Sequence, residues 1–234
     1  MEDFMLGIIG AMDEEVNQIK DLLENVEITK QAGMEFYKGV LSGKDVVIVR
    51  SGIGKINAAI CTQILADRFK VSAIINTGIA GSLHNEINIG DIVLSVDALQ
   101  HDVDAVAFGY EVGVIPRMDT SIFNADKKLI ELAEKCCHKA CEDLTVHKGR
   151  VVSGDQFICD KAVKDRISSN FHGLCTEMEG AAIAHAAYLN NIPFLIIRAI
   201  SDKADDSAHM DYPEFEAMAI KNSVNLIKEI ILNY

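Results

Sequence analysis

Short apolar runs alternate with segments of helical periodicity from one end of the chain to the other. The apolar runs have the length of strands buried on both faces, and they lie at 6–10, 73–76, 92–96 and 193–200. Apolar residues recur every three or four positions, as on one face of a helix, in 13–23, 56–69, 129–141, 180–189 and 215–232. Residues 36–41 and 45–49 flank the turn sequence Ser42-Gly43-Lys44 and predict a hairpin. Together these patterns predict an α/β fold, a three-layer αβα sandwich around a mixed central sheet.

The length and composition are typical of one globular domain. The chain has 234 residues, of which 49% are hydrophobic and 24% charged, and it contains no low-complexity or repeated segment. We therefore expect a single domain over residues 1–234. The formal net charge of −13 opposes binding to nucleic acid or to an anionic membrane, but it does not oppose uncharged small molecules such as nucleosides.

Several features predict a cytoplasmic protein without a metal site. Glu2 and Asp3 stand where a secretory signal would carry Lys or Arg, and no run reaches the roughly 18 apolar residues that a membrane span needs. The six cysteines are scattered among apolar runs, as expected for reduced thiols. Cys137, His138 and Cys141 suggest a zinc site on one helix face, but the sequence offers no second ligand pair, so we interpret these cysteines as core residues.

Acidic residues follow three of the predicted strands, at the edge where open α/β sheets bind ligands. Glu15 follows the first strand, where an acid in the first turn of a helix is the alternative interpretation. Glu177 and Glu179 point to one side and Met178 to the other if their segment is extended, and a helix-start acid pair is again the alternative. Asp202 directly follows an apolar strand. Partial burial at this position is expected to raise the pKa of Asp202, so that the carboxyl group holds a proton near neutral pH. A helix N-cap is the alternative interpretation of Asp202.

A fourth segment, 76–81, contains glycines that let the backbone approach a ligand closely. With the acidic segments it makes the chain resemble the 5′-methylthioadenosine/S-adenosylhomocysteine nucleosidases, a family of the nucleoside phosphorylase superfamily. The matching segments keep their order and lie at 7–12 with 14–15, 51–55, 76–78, 90–93, 101–102, 107–110, 152–155, 177–179 and 198–202. Each segment alone is a weak signal, whereas their common order over nearly the whole chain is a strong one.

The resemblance implies a hydrolase that cleaves the bond between adenine N9 and ribose in 5′-methylthioadenosine and S-adenosylhomocysteine. Such an enzyme serves methionine salvage and recycles a by-product of methylation. In the roles that the resemblance implies, Asp202 protonates N7 of the leaving adenine, Glu179 binds the ribose hydroxyls and Glu15 activates water. That family needs neither a metal nor an organic cofactor.

The resemblance also implies further contacts to the substrate. These come from Ile53, Ile79, Ala80, Gly81, Phe157, Ile158, Glu177, Met178, Arg198, Ser201 and Tyr212. Among them, Phe157 is expected to stack on adenine and the backbone of Ile158 to read the edge of the base. In the family the equivalent of Phe108 comes from the neighbouring subunit, which implies a homodimer.

A phosphate-dependent purine nucleoside phosphorylase of the same fold is the main alternative. Related phosphorylases bind phosphate with an arginine and a serine, at the positions where this chain has Asn76 and Ile79. A carboxylate at Glu15 would also repel a phosphate dianion. Water is therefore the favoured nucleophile. Ile79 also departs from the serine that the nucleosidases often have near this water. A non-catalytic sensor of adenosine-type ligands is a third hypothesis. The sequence does not rank the 5′ substituents, including those of futalosine-type nucleosides.

Overall fold

The computed structural model describes residues 4–140 and 144–234, so Glu2, Asp3 and Cys141 lie outside the described residues. Its strands are β1 (Met5–Gly10), β2 (Glu24–Gln31), β3 (Met34–Leu41), β4 (Lys44–Arg50), β5 (Ala73–Ser82), β6 (Ile92–Gln100), β7 (Phe123–Asn124), β8 (Val146–Ser153), β9 (Cys175–Glu177) and β10 (Phe194–Asp202). Its α-helices are α1 (Asp13–Lys20), α2 (Lys55–Ile64), α3 (Lys127–Ala140), α4 (Lys161–Phe171), α5 (Gly180–Leu189) and α6 (Ala208–Asn233). A π-helical turn continues α2 over Leu65–Phe69, and a 3₁₀ turn covers Val106–Phe108.

These strands form one mixed sheet, as the sequence predicts. β1 lies parallel between β4 and β5, and β5 is parallel to β10 on its other side. β10 is antiparallel to β6, β6 is parallel to β8, β8 is parallel to β9, and β9 returns antiparallel to β5. The strands β5, β10, β6, β8 and β9 therefore close into a ring, from which β1, β4, β3 and β2 extend.

The core lies between the sheet and two groups of helices. α1 and α3 both pack on α6, which covers β5 and β10, whereas α2 packs on α5, which contacts β6 and β8. Every residue of β5 and of β10 is buried, in keeping with apolar strands covered on both faces. No described helix is long and apolar enough to cross a membrane.

The cysteines of the described residues occupy largely apolar surroundings. Cys61, Cys136, Cys137 and Cys175 are buried, as interpreted from the sequence, and Cys159 is partly exposed. Burial raises the pKa of the Cys61 thiol, so this group stays protonated and behaves as a small apolar side chain.

Several elements differ from the sequence prediction, and β2 and α6 differ most. β2 was not predicted, because it is an exposed edge strand whose residues are mostly polar on both faces. α6 begins at Ala208 rather than at 215, and it runs through Pro213 in its second turn. Proline lacks the N–H that an interior helical residue donates, which is why the sequence favoured a later start.

Candidate active site

A cavity of about 460 Å³ opens at the carboxyl ends of β1, β5 and β10. It is lined by Ala11, Met12, Glu15, Ile53, Ile79, Ala80, Gly81, Phe157, Thr176, Glu177, Met178, Glu179, Ser201, Asp202 and Tyr212. Twelve of these fifteen residues are predicted site residues, and they come from segments far apart in the chain. Ala11, Met12 and Thr176 were not among the predicted site residues.

Glu15 belongs both to the start of α1 and to the cavity wall. Its Oε2 accepts hydrogen bonds from the backbone N–H groups of Ala11 at 2.6 Å and Met12 at 3.0 Å, and its Oε1 accepts one from Ile79 at 3.3 Å. Burial raises the pKa of Glu15, whereas the Arg198 charge and these three donors act to lower it. The two interpretations of this acid therefore hold together, since the same carboxyl group caps a helix and faces the cavity.

The carboxyl group of Glu177 holds the buried guanidinium of Arg198. Nη2 of Arg198 donates to Oε2 of Glu177 and to Oδ1 of Asn76, and Nη1 donates to the carbonyl of Ile197 at 3.0 Å. Glu177 also accepts hydrogen bonds from the hydroxyl of Ser153 and, at 2.7 Å, from the N–H of Gly180. A pair this deeply buried needs such partners, because each charge has lost its water.

Glu179 is the N-cap residue of α5, two positions after Glu177. Its Oε1 accepts a hydrogen bond from the N–H of Gly54 at 2.8 Å. Burial and the nearby Glu177 charge raise the pKa of Glu179 to about 8. β9 ends at Glu177, so Met178 and Glu179 do not continue an extended strand. The condition for the alternation is therefore not met. The acids instead stand at the start of a helix, since Glu179 is the N-cap residue of α5 and Glu177 accepts from Gly180. Glu177, Met178 and Glu179 all line the same cavity.

Asp202 is the last residue of β10, and its side chain is almost completely buried. Oδ2 accepts a hydrogen bond from the hydroxyl of Ser201 at 2.8 Å, and Oδ1 accepts one from the N–H of Ala204 at 2.8 Å. Burial raises the pKa of Asp202, and these two donors only partly oppose the effect. The alternative of a helix N-cap is wrong, because α6 begins at Ala208 with Ser207 as its cap residue.

The predicted glycine loop is in fact the end of β5, where two carboxyl groups come close to the backbone. A Cβ atom at Gly78 would lie 2.6 Å from Oε1 of Glu15, and one at Gly81 would lie 2.7 Å from Oδ1 of Asp202. Neither position has space for a side chain, so the glycines let both acids reach the cavity.

Apolar and aromatic side chains form the rest of the wall. The rings of Phe157 and Tyr212 meet edge to face with centroids 5.8 Å apart. The hydroxyl of Tyr212 lies 2.9 Å from Oε1 of Glu216 and 3.6 Å from Sδ of Met12. Phe157 and Ile53 are about half exposed, which leaves their surfaces open to a ligand.

Three predicted site residues do not line the cavity. Arg198 is 1% exposed and lies behind Glu177. The Ile158 side chain packs with Leu83 and Val152 in a separate apolar cluster. Phe108 is 84% exposed on its 3₁₀ turn. Within residues 4–140 and 144–234, no group of three or more His, Cys, Asp or Glu side chains is placed to hold a metal ion.

Together these features define the class of α/β proteins that bind a small molecule at the strand ends and have acidic groups around it. Strand ends of an α/β fold surround one largely apolar cavity, which four acidic side chains line: Glu15, Glu177, Glu179 and Asp202. Glu15, Glu179 and Asp202 have raised pKa values and form no ion pair within the described residues. Such a cavity suits an uncharged, ring-containing small molecule, and its acids are suited to exchanging protons with it.

Comparisons with known proteins agree with this class. The family model of the phosphorylase superfamily matches residues 5–232. The chain is 43% identical over 227 residues to the 5′-methylthioadenosine/S-adenosylhomocysteine nucleosidase of Bacillus cytotoxicus, with 97% of each chain covered. The chain therefore belongs to the phosphorylase superfamily and, within it, to the family of these nucleosidases.

Solved structures give the same result. The nucleosidase of Neisseria meningitidis in complex with methylthio-immucillin-A matches with a TM-score of 0.94 and 37% identity, over 98% of this chain and 99% of that one. The futalosine hydrolase of Helicobacter pylori matches with a TM-score of 0.93 and 30% identity, over 99% of both chains. The α/β fold and the family resemblance predicted from the sequence are thus confirmed.

Proposed function

We propose that this chain is an N-glycosyl hydrolase that releases adenine from 5′-methylthioadenosine and S-adenosylhomocysteine. The observation that carries the proposal is the meeting of Glu15, Glu179 and Asp202 at one cavity in a chain 43% identical to such a nucleosidase. The cavity volume of about 460 Å³ is within the usual range for a small-molecule site.

The first chemical problem is the departure of adenine, which is a poor leaving group as an anion. In our proposal Asp202 donates a proton to N7, so that the base leaves neutral. Burial favours the protonated form of this carboxyl group, as a proton donor at neutral pH requires. The hydrogen bonds from Ser201 and Ala204 hold the group in one orientation and stabilise the carboxylate that remains after transfer.

The second problem is the positive charge that develops on the sugar as the bond breaks. We assign its stabilisation to Glu179, which would also bind the ribose hydroxyls. Glu15 would take a proton from the water that attacks the anomeric carbon. Burial raises the pKa of Glu15, and the nearby Arg198 charge and the three N–H donors partly oppose this rise, in the direction of the ionised form that the base needs.

Water is a better nucleophile than phosphate for this site. Asn76 donates to the carbonyl of Ile9 and accepts from Arg198, and Ile79 presents an apolar side chain. The guanidinium of Arg198 is already bonded to Glu177 and does not line the cavity. A phosphate dianion would therefore meet the Glu15 carboxyl group, and no Lys or Arg is among the described residues that line the cavity to balance the charge.

Incubation with 5′-methylthioadenosine, followed by chromatography of the products, tests the proposal. We expect free adenine and methylthioribose in buffer without phosphate. A strict requirement for phosphate would instead support a phosphorylase, and unchanged nucleoside would support a sensor. A panel of 5′-substituted adenosines and futalosine would then rank the substituents.

We further propose that two copies of the chain form a homodimer in the cytoplasm, in which Phe108 of each copy reaches the other's cavity. Exposed apolar side chains support this arrangement, since an isolated chain leaves them in water. Phe108 and Val106 are exposed on the 3₁₀ turn, Ile56 on α2 and Leu189 on α5. α2 and α5 pack side by side and border a depression of about 440 Å³.

Mixing two inactive variants tests the shared site. Phe108→Ala chains keep Asp202 but lack the aromatic ring for their partner, and Asp202→Asn chains supply the ring but lack the acid. If random exchange makes mixed dimers, each mixed dimer has one complete site, and activity should recover to about one quarter of the wild-type value. No recovery, although mixed dimers are detected by mass spectrometry, would contradict the role of Phe108.

A further inference from the structure

Thr176 lines the cavity, and its buried hydroxyl group has no hydrogen-bond partner among the described residues. Within the described ranges, three buried side-chain atoms lack a hydrogen bond: Nε2 of His101, Nε of Arg198 and Oγ1 of Thr176. Of these three residues, only Thr176 belongs to the cavity wall. It is 5% exposed, so bulk water does not compensate for the missing bond.

The strand pairing explains why the Thr176 hydroxyl has no partner on the neighbouring strands. Thr176 stands opposite Gly81 on β5 and opposite Val152 on β8. Glycine has no side chain and valine has only hydrocarbon, so neither directly paired neighbour can bond to a hydroxyl. Because Thr176 also lines the cavity, a ligand bound there can bring a polar group close to it. A rotation about its Cα–Cβ bond exchanges the hydroxyl with the methyl group and needs no movement of the strand.

The position also indicates which part of a ligand is near. Gly81, the β5 partner of Thr176, lies so close to Asp202 that a Cβ atom there would be 2.7 Å from Oδ1. Asp202 already accepts one hydrogen bond on each oxygen. Thr176 is therefore in the corner of the cavity that contains the proton donor of our proposal, and this corner faces the base rather than the 5′ substituent.

We propose that the Thr176 hydroxyl forms a hydrogen bond with the purine base of the bound nucleoside and so contributes to base affinity. The inference rests on the proposed function, because Asp202 marks the base only if it protonates the base. A hydroxyl can donate to a ring nitrogen or accept from an exocyclic amine, so it suits the edge of an aminopurine. The free protein carries the cost of the unpaired hydroxyl, and ligand binding removes it.

Thr176→Val tests the inference, because valine keeps the shape and removes only the hydroxyl. We expect adenine, measured by calorimetry, to bind about 3- to 10-fold more weakly, the usual effect of one neutral hydrogen bond. The melting temperature of the free variant should be unchanged or higher, since an unsatisfied buried group is gone. A structural role would lower the melting temperature and leave adenine affinity unchanged, and this result would overturn the inference.

Two further variants complete the experiment. Thr176→Ser keeps a hydroxyl and should bind adenine within about 2-fold of wild type, so an equal loss in both variants would show that shape, not hydrogen bonding, matters. Thr62→Val is the matched control, because the Thr62 hydroxyl is buried and bonded to the carbonyl of Ala58. Its adenine affinity should not change. Adenine binding does not require turnover, so the result stands apart from the product test of the proposed hydrolysis.

Discussion

Replacement of Glu15 by glutamine removes the proposed water-activating carboxylate while it preserves the size of the side chain. The remaining amide oxygen can still accept the hydrogen bonds from Ala11 and Met12, which are the shorter two of the three. The long bond from Ile79 at 3.3 Å is lost, because an amide NH₂ cannot accept it. We therefore expect a folded variant with an intact cavity.

The loss in rate follows from the role of a general base. Such a group contributes about 10²- to 10⁴-fold, which corresponds to about 3–5 kcal/mol of activation free energy. With 5′-methylthioadenosine as substrate, we expect Glu15→Gln to lower kcat by this factor and to change the Kd of adenine by less than about 3-fold.

Chromatographic measurement of adenine release at saturating substrate gives kcat, and calorimetry gives the Kd. Wild-type kcat should also fall as the pH drops through the raised pKa of Glu15, because only the ionised form accepts a proton. A variant that retains more than about one tenth of wild-type kcat would refute the reasoning. A general base contributes at least about 10²-fold to the rate, so its loss should lower kcat by more than tenfold.

Two other substitutions test the buried carboxyl groups of Asp202 and Glu177. Asp202→Asn should lower kcat by about 10²- to 10⁴-fold and leave adenine binding intact, and strong residual turnover would contradict a proton-donor role. The folded-state pKa of Asp202 is raised, so its stabilising contribution is full at low pH and is lost as the pH rises through that pKa. The variant should therefore melt above wild type at pH 8 in thermal scans, with a difference that shrinks towards pH 4; a constant difference would contradict the raised pKa. Glu177→Gln should lower the free energy of unfolding, measured in urea, by about 3–5 kcal/mol, because Arg198 is left buried without its anion. A loss under about 1 kcal/mol would contradict a buried ion pair between Glu177 and Arg198.

The elements that carry the site were predictable from sequence because their signals are local. β10 is a continuous apolar run that ends directly at Asp202, and α5 is a run of small apolar residues after Glu179. An acid directly after such a strand indicates a functional site, because burial of a carboxyl group costs free energy that a surface acid does not lose. The alternatives for Glu15 could not be separated in this way, because the same carboxyl group accepts hydrogen bonds at the start of α1 and lines the cavity.

Other features depend on tertiary contacts that leave no local pattern. β9 has only three residues, and the closure of the ring through β9 and β5 brings Thr176 opposite Gly81. A single threonine beside two acids has no periodicity and no motif, so sequence analysis passed over it. The burial of Arg198 behind Glu177 is likewise visible only once β10 and β9 are in place.

The source of the new oxygen on the sugar tests the central claim most directly. The reaction should be run with 5′-methylthioadenosine in oxygen-18 water that also contains phosphate. The sugar product should be reduced with borohydride at once, before its C1 oxygen exchanges with the solvent, and then examined by mass spectrometry. Our account predicts free methylthioribose that carries one solvent oxygen at its anomeric carbon, together with unlabelled adenine. Formation of a sugar 1-phosphate, or a sugar without solvent oxygen at that carbon, would contradict it.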